Sequence, residues 1–582
     1  MKIIFFSSHT ATWFFAIAEA VIAHALQKRG HNVLFITPGN MFAEISNVKQ
    51  EQILRQEFDL RGYEIGAILT TDDLKKTSSI MKTLNNKNFG KLEIDGIQIG
   101  KIALYEFLLH HKKMDAKLTK KEWRLCRTEI KNTLLSFYAC RRIIKREKPD
   151  RILVYNALYS VNHVWEKYAS RTGIPVYFLH HGVNFSDIDN TLIIAKKNTF
   201  YFIKTLRKIW SNIKEVSVNR KALGYVTNHF LELLKAKHYL VYSTPQSKQK
   251  ISVRKMFNVE EGQKLMVATM SSYDEMFAAE YVGEWKMPKN LIFVDQTQWI
   301  KSLINYVKNK KDKFLIIRVH PREFPNKRDG VKSEHAKMLE KVLKDLPDNV
   351  RINWPADKLS IYDLAHEADA FLNAWSTVGI EMSLLGIPVV LYSKDLTLYP
   401  SDLNYVAKNR KEYFEKIEIA LKEGWSYEKI IKTYRWLALS YYQTIMRFRY
   451  IRSEPKASIT RKSLWNIANY VYGLIPAGFR QVLIKIYFTL PGLGVGRRQR
   501  EECRRQLKEK VNISNVERML LTTGDSLVDI KTVSKSNTGR DKEDFYIRNE
   551  LKRIYNAMFV GTQSKSKIKK DSLQGNLKQL FF

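Results

Sequence analysis

Apolar residues in this chain come in two spacings. Short runs at Lys2 to Phe6, Asn32 to Thr37, Arg151 to Tyr155 and Ile174 to Leu179 are too brief for helices and predict buried strands. Between them, apolar positions recur at helical spacing. Trp13 to Arg29 carries Ala and Leu on one face and stops at Gly30, and Ser160 to Arg171 stops before Gly173. Strand, helix and strand in that order predict a parallel sheet. The Lys-, Arg- and Leu-rich stretch from Lys101 to Lys148 contains no Gly or Pro and predicts one long helix ending at Pro149-Asp150.

The alternation resumes after a helical bridge at Asn228 to Lys237 and a predicted strand at His238 to Ser243. Further strands are expected at Lys264 to Met270, Leu291 to Asp295, Phe314 to Val319, Val350 to Asn353, Ala370 to Asn373 and Pro388 to Tyr392, with helices between. From Asn404 to Tyr450 the spacing is helical, as expected of helices that close the second block and cross back to the first. The reading is α/β: two Rossmann-like, doubly wound domains facing a cleft, followed by a basic helical C-terminal extension. A chain of 582 residues, 45% hydrophobic and 12% aromatic, is long enough to bury two such cores. Its boundaries are 1–235 with a helical insertion, 236–405, closing helices at 406–455, and at 456–582 a basic amphipathic segment with a mobile Lys- and Ser-rich tail.

Charge changes the picture at one end. The net charge of +38 favours polyanions, anionic lipid or phosphorylated substrates. From Lys456 to Arg500 there are Lys and Arg but no Asp or Glu, interleaved with Trp465, Tyr470, Tyr472 and Tyr487 and broken by Pro476 and Pro491. That composition suits an anionic membrane surface, and packing of a basic amphipathic helix against the domains remains open beside it. No RNP, helix-turn-helix or zinc-finger pattern is present, so nucleic acid is not an expected partner. Cys126, Cys140 and Cys503 are too few and too scattered for a disulfide framework or a structural zinc site. The first apolar run is too short for a signal peptide, and no run reaches the length of a membrane span. A cytoplasmic protein is expected, with peripheral attachment at the inner face of the plasma membrane left open.

Candidate chemistry gathers at predicted strand ends, which line the ligand crevice of an open parallel sheet. In residues 373–393 a strand ends at Asn373, Ser376-Thr377-Val378-Gly379 turns, and a helix opens at Ile380-Glu381. Hydroxyls and N–H groups at such a place suit a phosphate, Gly379 permits close backbone approach, and Glu381 can accept from ribose hydroxyls; Ser376 as a plain N-cap explains the turn equally well. In residues 314–324 the strand end presents Arg318, His320, Pro321, Arg322 and Glu323, cations that suit a departing phosphate. In residues 177–190 His180, His181 and Gly182 end a strand, where one His can serve as general base, with Asp187 or Asp189 orienting it or acting as base instead. Alternation along a strand predicts that only one of the two His faces the crevice, which argues against a metal held by both. His9, Thr10 and Asn156 are first-domain candidates for acceptor binding, and Ser271 and Ser272 second-domain candidates for the donor.

His320-Pro321 together with the Ser376-to-Glu381 element and Gly386-Ile387-Pro388-Val389 resembles the capsule-polysaccharide biosynthesis transferases related to bacterial Kdo transferases and sialyltransferases. His180-His181-Gly182 with His320-Pro321 is also similar to the CDP-glycerol glycerophosphotransferases of teichoic acid synthesis. The first resemblance implies a GT-B fold, no metal and no cofactor beyond a nucleotide-sugar donor as co-substrate, with CMP-sugars such as Kdo favoured and other NDP-sugars open. It implies a capsule, lipopolysaccharide or O-antigen polysaccharide or glycolipid as acceptor, held by the first domain, with His320 and the Ser376-Thr377 pair on the nucleotide. No Gln-Pro-Glu element of the retaining Kdo transferases is found. Glycerophosphate transfer, a nonhydrolysing sugar-nucleotide 2-epimerase and a non-enzymatic basic surface-binding protein are the alternatives.

Overall fold

The computed structural model describes residues 1–448 apart from 43, 250 and 327–329, and beyond them 495–509, 511–528, 530, 533, 537–559 and 571–581. The expected membrane-facing segment 456–500 lies almost wholly outside the described residues. The first sheet contains β1 (Lys2–Phe6), β2 (Asn32–Ile36), β3 (Arg151–Tyr155), β4 (Val176–His181) and β5 (Thr191–Lys196). The first four run parallel in the order β2-β1-β3-β4, and β5 adds to β4 antiparallel. The second sheet is wholly parallel: β6 (Lys264–Thr269), β7 (Lys313–Arg318), β8 (Val350–Asn353), β9 (Ala370–Asn373) and β10 (Val389–Leu391), in the order β8-β7-β6-β9-β10. Helices cover both faces, which is why these strands are almost uniformly apolar.

In each sheet the winding reverses once, between β1 and β3 and between β6 and β9. Such a reversal opens a crevice at the C-terminal ends of the strands. Two Rossmann-like, doubly wound domains with a helical C-terminal region make the GT-B plan. The chain returns to its first domain after finishing the second: β11 (Ile445–Arg447) pairs antiparallel with β5.

Several sequence expectations are corrected. The long helix is three pieces, Ile99–Ile102, Tyr105–His110 and Lys120–Glu147. The last begins at a capping box in which Thr119 and Glu122 exchange side-chain and backbone hydrogen bonds, and Lys112 just before it has φ +47°. No strand forms at His238 to Ser243, where the chain crosses between domains after Ala236 ends the helix Arg220–Lys235 in the left-handed region. None forms at Leu291 to Asp295, because Asp295 caps the helix Gln296–Val307, its carboxylate accepting from the Gln298 N–H. The Lys- and Ser-rich segment expected to be mobile lies mostly outside the described residues; the described helices before it pack on the domains. Cys503 is buried in the helix Val495–Lys508, Arg500 and Arg504 pair with Glu57, and the helix Arg540–Phe559 buries Ile547, Leu551 and Ile554 against Arg220–Lys235. Among the described residues no helix is long and apolar enough to cross a membrane.

Candidate functional site

The first crevice forms where β1, β3 and β4 end. Tyr155 closes β3, and its hydroxyl accepts the main-chain N–H of His181 at 3.0 Å. The rings of His180 and His181 lie 4.1 Å apart, so the expectation that only one sits at the crevice fails. Each ring is turned by a bond to the next carbonyl: His180 Nδ1 lies 3.0 Å from the His181 oxygen and His181 Nδ1 2.9 Å from the Gly182 oxygen. A carbonyl only accepts, so both imidazoles carry the proton on Nδ1 and present Nε2 as a lone pair. Burial keeps them neutral, lowering His180 to about 3 and His181 below its ordinary value. His181 Nε2 has no hydrogen-bond partner among the described residues. Gly182 is required because a side chain there would meet the Thr191 hydroxyl, whose main-chain oxygen accepts the Gly182 N–H at 2.9 Å.

The carboxylate expected to orient this histidine does not do so. Asp187 accepts from Asn190 Nδ2 at 2.9 Å inside its own turn, and the field of Asp189 reaches His181 without a bond. At the end of β1, His9 shares a 2.6 Å bond with Ser8 and lies 4.6 Å from the Tyr159 ring; burial lowers it to about 4. Thr10 points away from the crevice, donating to Glu51 at 2.7 Å and accepting the Asn47 N–H at 2.9 Å. Asn156 turns the chain at φ +48° after β3, its side-chain oxygen accepting from the Leu158 N–H.

The second crevice differs in that its polar groups hold one another. Ser271 Oγ, after β6, accepts the Trp375 N–H after β9 at 3.1 Å, which stitches the two loops at the reversal point together. Ser272 donates to Glu275 at 3.1 Å. Arg318 is buried, its Nη1 donating to the Leu359 carbonyl at 2.9 Å and to the Asn353 side chain; desolvation lowers it to about 10, with Asp363, Tyr362 and Glu381 opposing. Arg322 is engaged by Asp274 at 2.7 Å, the Tyr242 hydroxyl at 2.8 Å and the Leu109 carbonyl of the first domain at 3.1 Å. It therefore bonds across the two domains, and most of its N–H groups are already committed.

His320 is available. It caps the short turn begun by Pro321, Nδ1 accepting the Arg322 N–H at 3.2 Å, so the proton of the neutral ring sits on Nε2 as a donor. Burial lowers its pKa. Beyond β9, Ser376 Oγ accepts the Val378 N–H at 3.3 Å, and the exposed Thr377 donates to Glu381 at 2.9 Å. Glu381 accepts also from Tyr362 at 2.9 Å, and burial raises its pKa. Gly379 serves packing, since a side chain there would meet the Tyr399 hydroxyl and Asn373. The helix it belongs to, Val378–Leu384, is only seven residues long.

The crevices meet along two lines. Tyr105, in the helix Tyr105–His110 of the first domain, feels Glu275 and Arg322 of the second, and Glu106 beside it accepts from both N–H and hydroxyl of Ser160 after β3. On the other line the Phe185 ring stacks 5.0 Å from His238 and 5.1 Å from His229, His229 lies 4.9 Å from Tyr441, and Tyr441 feels Glu381. These linking residues were absent from the sequence reading because they lie within helices or domain crossings, away from strand ends. His163, Glu166 and Glu284, whose ligand-type atoms lie within 4.8 Å, form a separate cluster. There Glu284 of the second domain is held by His163 at 2.7 Å and by Lys167, whose ammonium already supplies the cation; burial would raise Glu284, but these partners hold it at about 2.

No family model matches the sequence, and neither does any curated protein. Among solved structures the chain is similar to Methanocaldococcus jannaschii UDP-GlcNAc 2-epimerase in complex with UDP-GlcNAc and UDP (16% identity, 75% of this chain and 98% of that one, TM-score 0.26). It is similar also to KpsC, a beta Kdo 2,4 transferase of Thermosulfurimonas dismutans (11% identity, 52% and 82%, TM-score 0.29). A third is the glycosyltransferase SnogD of Streptomyces nogalater (11% identity, 80% and 99%, TM-score 0.21). Superpositions this loose carry no inference about function, and the fold rests on the chain's own two sheets.

Proposed function

We propose that the protein is a glycosyltransferase that takes a sugar from a nucleotide-activated donor held in the second domain to a bacterial surface polysaccharide or glycolipid held in the first. The observation that carries this reading is His181: neutral, with Nδ1 committed to a carbonyl and Nε2 left as an acceptor at the crevice of one domain, while His320 at the crevice of the other domain carries a donor Nε2–H. In a direct displacement the acceptor hydroxyl attacks the anomeric carbon and its proton passes to His181 Nε2. The bond from that carbon to the phosphate oxygen breaks, and the bonding pair leaves with the nucleotide. His320 Nε2–H donates to the growing negative charge, with the Arg318 cation behind it, which is the arrangement that stabilises a leaving phosphate. Thr377 and Glu381 are assigned to the nucleotide's hydroxyls; the carboxylate oxygens retain lone pairs beyond the two bonds they accept. A CMP-sugar is the favoured donor, on the resemblance of the His320-Pro321 and Ser376-to-Glu381 motifs alone. Divalent metal is not assigned a role.

The test is thermal stabilisation by CMP, CDP, UDP, GDP and dTDP, because a ligand bound by the native state raises the melting temperature. A selective shift that His320→Ala removes supports the reading, and the nucleotide it selects names the donor class. Consumption of CDP-glycerol would replace sugar transfer by glycerophosphate transfer. A shift with no nucleotide would sink the assignment.

A further inference from the structure

A second pocket, of about 640 Å³, opens between the domains. It lies away from the cleft, because Tyr177 pairs with Lys196 whereas His181 pairs with Leu192. Lys197, at its rim, is level with Val176 and thus at the opposite end of β4 from His181, about 17 Å along the strand at 3.4 Å per residue. Six cations line it, Lys167, Lys197, Lys204, Arg207, Lys208 and Lys286, against two carboxylates, Glu166 and Glu284. Both carboxylates lie beside the Lys167 ammonium, and Glu284 is bonded to His163 as well. Arg207 donates to the Thr397 and Lys394 carbonyls at 3.4 and 3.5 Å. Lys204, Lys208 and Lys286 are exposed and make no ion pair among the described residues. Lys204, Arg207 and Lys208 fall at i, i+3 and i+4 on the helix Thr199–Ile213, so they share one face.

The remainder of the lining includes apolar side chains. Phe200 and Trp285 lie 5.4 Å apart, one from each domain, and Leu398 is 39% exposed beside them. A large apolar side chain half in water next to aromatic rings and uncompensated ammonium groups describes a recess for a ligand with two unlike ends. Its volume exceeds what one phosphate fills.

We propose that this pocket binds a phosphate ester that carries an apolar body, the phosphate on Lys204, Lys208 and Lys286 and the body against Phe200, Trp285 and Leu398. The ligand is either a dissolved ester or the headgroup end of a lipid; the shared chemistry is the phosphate joined to apolar carbon. The site is independent of the transfer assigned to the cleft, and holds whether or not that assignment does.

The test uses the full chain and octyl phosphate, with inorganic phosphate and octanol as the separate halves, by titration calorimetry. Octyl phosphate is expected to bind more tightly than either half. The paired substitution Lys204→Glu with Lys208→Glu is expected to raise its Kd at least tenfold. The pair Lys75→Glu with Lys82→Glu, exposed on another helix, changes net charge equally and is expected to leave Kd within twofold. Equal weakening by both pairs, no weakening by the first, or inorganic phosphate binding as tightly as octyl phosphate overturns the proposal. Co-sedimentation with phosphatidylglycerol vesicles separates the sources. Vesicle binding lost in the first pair alone assigns the phosphate to a lipid headgroup. Vesicle binding unchanged while octyl phosphate binding is lost assigns it to a dissolved ester. Since neither lysine touches the cleft, nucleotide stabilisation is expected to survive in both variants, so failure here and failure of the cleft reading are distinguishable.

Discussion

The two crevices differ in how far their ionisable groups are bonded to one another. In the first, burial drives each group to its neutral form: His9 to about 4, His180 to about 3, His181 downward, and the acids Glu19 and Glu106 up to about 8 and about 7. In the second, the polar groups are bonded to one another, Arg322 to Asp274 and Glu323 to His335, although burial still pushes Asp274 up to about 6 against the Arg322 cation, lowers His320 and Arg318, and raises Glu381 despite its two hydroxyl partners. A general base has to be neutral and unbonded at its acceptor atom, whereas a frame for a charged ligand has to hold its own charges still. The first crevice is thus suited to moving a proton and the second to holding a donor.

The largest expected break in this contrast is His181→Ala, which removes the neutral acceptor assigned as the base without disturbing a paired charge. Turnover of the nucleotide sugar chosen by the stabilisation panel should fall about 10²- to 10⁴-fold, the range for a general base, with melting temperature nearly unchanged. Next is Asp274→Ala, which leaves the buried Arg322 guanidinium with only the exposed Glu275, 3.6 Å away, as a carboxylate partner. Urea unfolding should show a loss of about 3–5 kcal/mol, and a loss below 1 kcal/mol would mean that the second crevice is not held by its ion pairs.

Glu19→Gln probes the first crevice through pH. The folded pKa of about 8 lies above the unfolded value of 4.5, so the Glu19 contribution to stability is complete below pH 4.5 and is lost as pH rises towards 8. Gln does not titrate. Between pH 6 and 7 the native sequence should therefore lose about 1.4 kcal/mol relative to the variant, and parallel stability curves would show that Glu19 is already ionised. Glu381→Gln should weaken nucleotide binding by about fivefold, near 1 kcal/mol, measured by calorimetry with the preferred nucleotide. The smallest expected effect is none: EDTA should leave turnover unchanged, because the leaving phosphate is assigned to His320 and Arg318.

How much of this was legible in the sequence varied with the range of the interaction. Strand cores such as Ile152 to Tyr155 and Phe314 to Ile317 declare themselves locally, since a buried parallel strand needs a short apolar run. His320-Pro321 and His181-Gly182 were found because they follow such runs directly. The break in the helix predicted from Lys101 to Lys148 has a local sign, the capping-box spacing of Thr119 and Glu122, which the sequence reading did not use. What no local pattern contains is the partner of each polar group. Asp274 lies 48 residues from Arg322, and Leu109 lies 213 residues away, so the engagement of that arginine follows only from the assembled domains. The same holds for the helix Arg540–Phe559, whose partner for Ile547, Leu551 and Ile554 lies more than 300 residues earlier in the chain.

The return of the chain to its first sheet has a consequence for biosynthesis. All strands of the second sheet lie between residues 264 and 391, so that sheet is complete in the nascent chain while the first still lacks β11. A ribosome must deliver residue 447 before the edge of β5 is covered, and residue 559 before the helix Arg220–Lys235 receives its last partner. During synthesis, the domain that begins the chain is the one that finishes folding last.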